Sequence, residues 1–211
     1  MKVKLCGVRR PEDIGYLNEF RPDYAGFVFA GTKRRVSPET AASLAEKLDP
    51  GIGRVGVFVD EEPETVRRAA ELAGLTAVQL HGSENAKYIE ALRRLLPGVE
   101  IWKAVRVRDR GTVLRALALP ADRFLLDAFS EKEAGGTGRV ADFGVIRSCR
   151  IRVPYFLAGG LNAGNLAPIV REMHPAGVDL SSGIETGGVK DRRKIETVMR
   201  ILRGGSGKVG T

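Results

Sequence analysis

Cysteine, histidine and glutamine are scarce in this chain of 211 residues, with two Cys, two His and the single glutamine Gln79. Two cysteines, Cys6 and Cys149, are too few for the disulfide framework of a small secreted scaffold, which points to a reducing, cytoplasmic setting. The two histidines, His81 and His174, stand far apart and make no zinc ligand set, so no metal is expected. No apolar run approaches the roughly 18 residues of a membrane span. The N-terminus MKVKLCGVRR has charges inside its short apolar stretch, unlike a signal peptide. Neither export nor membrane insertion is expected. Aromatic residues are 6% of the chain and are spread along it, whereas single-stranded nucleic-acid grooves interleave aromatics with a basic stripe. No nucleic-acid partner is expected. One Gln and four Asn beside abundant Arg fit the avoidance of heat-labile amides.

What is present is a globular composition, 43% hydrophobic and 28% charged, long enough to bury a core without staples. The net charge of +8 is scattered over pairs such as Arg9-Arg10 and Arg192-Arg193. It fits a soluble basic surface or an anionic small ligand. No composition shift marks a domain boundary. One domain over 1–203 is expected, with a frayed tail at 204–211 (GGSGKVGT). The chain is expected to act as a monomer or a homodimer.

Short, continuous apolar runs alternate with longer helical patterns. The runs are Val3–Cys6, Tyr24–Phe29, Arg54–Val59, Ala77–Leu80, Ile101–Val105, Phe124–Leu126, Tyr155–Ala158 and Val178–Leu180. Strands buried on both faces of a parallel sheet read this way. Helix starts are marked by Ser37-Pro38-Glu39, Glu62-Pro63-Glu64, Asp109, Asn162 and Asp191. The strand starts are spaced by 21, 30, 23, 24, 23, 31 and 23 residues, each the size of one strand-helix unit. Eight such units predict an α/β fold, a single (β/α)8 TIM barrel. The alternative, an open doubly wound sheet, would carry a glycine-rich loop after its first strand, where this chain has Cys6-Gly7-Val8-Arg9.

Barrel active sites lie at the carboxyl ends of the strands. The residues there are Cys6, the cluster Lys33-Arg34-Arg35, Asp60, His81 with Gln79 two residues before it, Asp127, Gly159-Gly160, and Asp179 with Ser181-Ser182-Gly183. A Cys thiolate can serve as base or nucleophile, although a lone Cys at a strand end is commonly inert core. A carboxyl such as Asp127 can be a general acid or a loop cap. Asp60 is most simply a helix-start residue, and Cys149 fills core. A mobile glycine-rich stretch is expected at Gly135–Gly138. The glycines and serines after the last two strands suit a phosphate, because glycines let backbone N–H groups approach an anion and serines add donors. A short helix N-terminus there would add its dipole.

The order and spacing of several segments resemble the phosphoribosylanthranilate isomerase family nearly end to end. These are KLCG (4–7), GFVF (26–29), RRVSPE (34–39), VGVFV (55–59), AVQLHG (77–82), LLD (125–127), GGTGRVADF (135–143), AGGLN (158–162), VDLSSGIE (178–185) and GVKD (188–191). The resemblance implies a single barrel that performs an Amadori rearrangement of N-(5-phosphoribosyl)anthranilate without cofactor or metal. It implies Cys6 as general base, Asp127 as general acid and Arg34 as the holder of the anthranilate carboxylate. Gln79, His81 and Asp179 would contact substrate, and Gly159, Gly160, Ser181, Ser182 and Gly183 would bind its phosphate. Two positions depart from the family pattern. Arg9 stands where Thr is common, and Arg35 where Tyr commonly follows the carboxylate-binding Arg, so Arg35 is a second candidate for that carboxylate. Two rival readings remain open at this point. One is a dual-substrate sugar isomerase, a class that uses two Asp residues where this chain has Cys6. The other is a non-catalytic phosphate or nucleic-acid binder, favoured only by the charge.

Overall fold

The computed structural model describes residues 1–128 and 143–204. Eight parallel strands close into a barrel in sequence order: β1 (Lys2–Cys6), β2 (Tyr24–Val28), β3 (Gly53–Phe58), β4 (Ala77–Leu80), β5 (Glu100–Arg106), β6 (Arg123–Asp127), β7 (Tyr155–Ala158) and β8 (Gly177–Leu180). Helices α1 (Pro11–Phe20), α2 (Pro38–Ala45), α3 (Pro63–Leu72), α4 (Ala86–Leu95), α5 (Arg110–Leu117), α6 (Gly144–Ser148), α7 (Leu166–Met173) and α8 (Arg192–Arg203) follow the strands in turn. A small hairpin, β9 (Glu185–Thr186) and β10 (Val189–Lys190), sits between β8 and α8. This is the (β/α)8 barrel that the strand spacing predicts. The glycine-rich stretch Gly135–Gly138 and the tail beyond Gly204 lie outside the described residues.

The helix starts follow their capping residues. Ser37 Oγ accepts from the Thr40 N–H at 3.2 Å, Asp109 Oδ1 from the Thr112 N–H at 2.7 Å, and Asp191 Oδ1 from the Arg193 N–H at 2.9 Å. Before α3, Glu62 makes no side-chain cap and Pro63 opens the helix by its fixed φ. The regular turns of α7 begin at Leu166, and Asn162 caps the turn that leads into them: its Oδ1 accepts from the Gly164 N–H at 2.9 Å, its carbonyl accepts from the Leu166 N–H at 3.0 Å, and its own N–H donates to Asn165 Oδ1 at 2.8 Å. One expectation is corrected, because Asp60 does not start a helix. It is left-handed at φ 49°, and its Oδ1 accepts from the Ser83 N–H at 2.6 Å, which ties the end of β3 to the loop after β4.

Strand alternation sorts the core into two shells. Outward residues such as Val3, Leu5, Phe27, Val78, Leu80 and Leu126 pack under the helices, where Ile195, Val198 and Met199 of α8 join them. Inward residues of the lower barrel form a second cluster around Trp102, with Val55, Ala77, Leu125 and Phe156. The Trp102 ring lies 4.9 Å from both Tyr24 and Phe156, and its indole N–H donates to Glu100 Oε2 at 2.8 Å. Arg123 grips the same carboxylate through Nε at 2.8 Å and Nη2 at 2.9 Å. This floor is apolar and filled, so a ligand must enter from the carboxyl ends. Trp102→Ala should cost about 3–5 kcal/mol of unfolding free energy by denaturant titration, because the floor would lose its largest buried ring. A loss under about 1 kcal/mol would mean that the floor collapses onto the gap.

Candidate active site

At the carboxyl ends the barrel holds an open cavity of about 480 Å³. Inward alternation delivers its lining: Cys6 from β1, Gln79 and then His81 from β4, Asp127 from β6, and Asp179 and then Ser181 from β8. Arg34, Gly159, Gly160 and Ser182 complete the set of candidates that meet there. Lys33 also reaches the cavity, but Arg35 is exposed and does not. Gly183 does not line it and has a different part, described below. Arg106, opposite Asp127 in the β5–β6 ladder, is a lining residue that the sequence reading missed.

The Cys6 thiol has a fitted place. A side chain at Gly26, its partner on β2, would put a Cβ 2.7 Å from Cys6 Sγ, so the glycine is what makes room for the sulfur. Ser181 Oγ donates to the Cys6 carbonyl at 3.2 Å and fixes the backbone there. Burial pushes the thiol above its ordinary range, against the pull of the Lys4 ammonium. Across the cavity His81 Nε2 stands 3.5 Å from Asp127 Oδ2, beyond a good hydrogen bond. The Gln79 Oε1 atom is buried without a hydrogen-bond partner, and so is Asp179 Oδ1. Both belong to cavity-lining residues, and buried polar atoms of that kind are costly unless a ligand or water meets them.

Arg34 is held from one side. Glu185 takes it in a fork, with Nε donating to Oε1 at 2.9 Å and Nη2 to Oε2 at 2.7 Å. Lys190 Nζ donates to the same Oε1 at 2.8 Å and to the Ser181 carbonyl at 3.2 Å. Burial alone would raise the Glu185 carboxyl, but Arg34 and Lys190 outweigh it and hold the pKa at about 2. Glu185 and Lys190 lie within VDLSSGIE and GVKD without standing at a strand end, and their sequence signal is a carboxylate and an ammonium five residues apart around a Gly-Gly turn.

The loops after β7 and β8 touch. Gly159 and Gly160 adopt φ of 98° and 63°, a turn closed to most side chains. A Cβ on Gly183 would lie 1.9 Å from the Leu161 carbonyl, so this glycine lets the second loop press against the first. Among the described residues, no three His, Cys, Asp or Glu side chains gather as a metal would need. No helix among them is long and apolar enough to cross a membrane.

Residues 3–200 match the family model described as N-(5'phosphoribosyl)anthranilate (PRA) isomerase. The chain belongs to the phosphoribosylanthranilate isomerase family. It is accordingly an isomerase, an intramolecular oxidoreductase, of tryptophan biosynthesis. An N-(5'-phosphoribosyl)anthranilate isomerase of Acetivibrio thermocellus is 44% identical, over 98% of each chain. The crystal structure of the phosphoribosyl anthranilate isomerase from Thermotoga maritima aligns with a TM-score of 0.86 at 36% identity, covering 97% of this chain and 99% of that one. A further phosphoribosyl anthranilate isomerase structure, in complex with reduced 1-(o-carboxyphenylamino)-1-deoxyribulose 5-phosphate, aligns with a TM-score of 0.81 at 33% identity over 97% and 99% of the two chains.

Glu185 gives this isomerase a measurable acid signature. Its folded pKa lies below the unfolded carboxylate value of about 4.3, so its contribution is complete above that value and fades as pH falls toward about 2. Glu185→Gln should therefore lower stability by roughly 2–3 kcal/mol at pH 7. In thermal unfolding across pH 2–7, the gap between parent and variant should close below pH about 4. A gap independent of pH would show that the fork adds packing alone.

Proposed function

We propose that the chain isomerises N-(5-phosphoribosyl)anthranilate to 1-(2-carboxyphenylamino)-1-deoxyribulose 5-phosphate by general acid–base catalysis in the cytoplasm. Asp127 protonates the furanose ring oxygen, and the C1–O bond opens to an iminium. Cys6, as thiolate, removes the C2 proton. The electron pair of that bond forms C1=C2, and the iminium nitrogen recovers its lone pair. The enolamine then tautomerises to the ketone. C1 is reduced while C2 is oxidised, so no outside electron carrier enters the balance.

The observation that supports this reading most is the convergence of Cys6 and Asp127 on one cavity that also receives Arg34. Glu185 occupies the Nε–Nη2 edge of Arg34. The Nη1 side is left for the anthranilate carboxylate, and a guanidinium suits that planar group. Arg35 is exposed and outside the cavity lining, which favours Arg34 of the two. The phosphate would sit on the touching loops at Gly159-Gly160 and Ser181-Ser182, with Gly183 keeping them together. Asp179 Oδ1 and Gln79 Oε1, buried and unpartnered, are the acceptors for ribose hydroxyls. His81 stands beside the acid. Both thiols are free, which suits a reducing compartment.

Cys6→Ser and Asp127→Asn should each lower kcat by about 10²–10⁴-fold, with KM changed far less, in an assay that follows loss of substrate fluorescence. Full activity in Cys6→Ala would remove the base assignment. Arg34→Met should instead act on KM, at about 2–5 kcal/mol, while Glu185 keeps its bond to Lys190. Arg35→Met is the comparison, and a larger KM effect there would move the carboxylate to Arg35.

A further inference from the structure

Lys4 is fully buried in the barrel interior, one pleat below Cys6 on the same inward side of β1. Its ammonium donates to Asp179 Oδ2 at 3.0 Å, and its positive charge acts on the Cys6 thiol two residues along the strand. An ammonium shut away from water is costly, and a well-packed apolar pair would serve stability as well or better. The level below it is already closed by the Trp102 cluster. What the ammonium adds that an apolar side chain could not is positive charge at the sulfur.

We propose that Lys4, anchored by Asp179, is a positioning residue whose ammonium is the counter-charge for the Cys6 thiolate. This rests on the reading of Cys6 as base. The charged groups facing the sulfur are Lys4 from β1, Asp179 from β8, Lys190 from β10 and Arg34 from the loop after β2. Lys190 and Arg34 share the Glu185 carboxylate, so their charge is largely answered. Lys4 shares the inward face of β1 with Cys6, and among these cations its charge acts most strongly on the thiol. When the thiolate takes the C2 proton, the S–H bond forms and the C–H pair moves into C1=C2. Lys4 keeps its proton, and its pairing reverts to Asp179 alone. Asp179 has the opposite influence. Its carboxylate holds Lys4 in place while disfavouring a second negative charge beside it.

Two near-isosteric changes should thus move the thiol in opposite directions. In a Cys149→Ala background, so that one thiol reports, iodoacetamide alkylation of Cys6 is followed against pH. At pH 8.5 Lys4→Met should slow alkylation by at least about tenfold, equivalent to one pKa unit or more, and Asp179→Asn should speed it. The acid limb of the kcat/KM profile should shift to higher pH in Lys4→Met and to lower pH in Asp179→Asn. If Lys4→Met does not fold, the step from Asp179→Asn to the double variant Lys4→Met/Asp179→Asn reads the same charge and should again slow alkylation about tenfold. Alkylation unchanged by loss of Lys4 overturns the inference and leaves Cys6 as base untouched. Alkylation that shifts while the activity profile stays still overturns the base assignment, and with it any catalytic use of Lys4.

Discussion

The Lys4–Asp179 ion pair joins the first and last strands of the barrel at the height where an apolar floor gives way to a polar mouth. Below it, Trp102, Tyr24 and Phe156 fill the interior, and the charged ends of β5 and β6 close it off through Glu100 and Arg123. Above it, the inward steps of β1, β4, β6 and β8 contribute side chains with chemistry, and Val28, Val57 and Ala158 fill in between them. Lys4 is fully buried and Asp179 lines the cavity floor nearly buried, and breaking one partner of a buried pair typically costs about 3–5 kcal/mol. Barrel closure and the electrostatics of the thiol therefore share one interaction.

A second carboxylate organises the rim. Glu185 binds Arg34 from one direction and Lys190 from the other, while Arg9 Nη2 donates to the Gly188 carbonyl of the turn between β9 and β10 at 2.6 Å. The hairpin is thus fastened to the segment that presents Arg34. A loose arginine pays rotamer entropy each time it binds a ligand carboxylate. In the role proposed for Arg34, the fork of Nε and Nη2 onto Glu185 would remove most of that cost and aim the remaining edge. The same rim brings the loops after β7 and β8 into contact through Gly183.

Much of this was legible in the sequence, and the reason is depth. Strands β4 and β7 have the bounds Ala77–Leu80 and Tyr155–Ala158 that their apolar runs define, because both faces of a barrel strand are covered. The cavity residues Cys6, His81 and Asp127 stand where their apolar runs end. Pattern alone does not single out Lys4. Lys2 and Lys4 lie on one side of β1, yet Lys2 is exposed at the lower rim beside Asp23 while Lys4 is sealed inside. Only the position along the barrel axis separates them. Glu185 was hidden for a related reason, since its partner Arg34 is 151 residues away. Asp60 misled because a short polar side chain satisfies a turn as readily as a helix start.

In the proposed mechanism two separate proton transfers, one by Asp127 and one by Cys6, act on neighbouring atoms of one sugar. A substrate carrying deuterium at C2 distinguishes them directly. In Cys6→Ser, removal of that hydrogen should limit turnover, and a primary isotope effect on kcat should appear at its full size. In Asp127→Asn, ring opening should limit, and the effect should fall toward unity. An isotope effect near unity in Cys6→Ser, or a full one in Asp127→Asn, would contradict the assignment of the two roles.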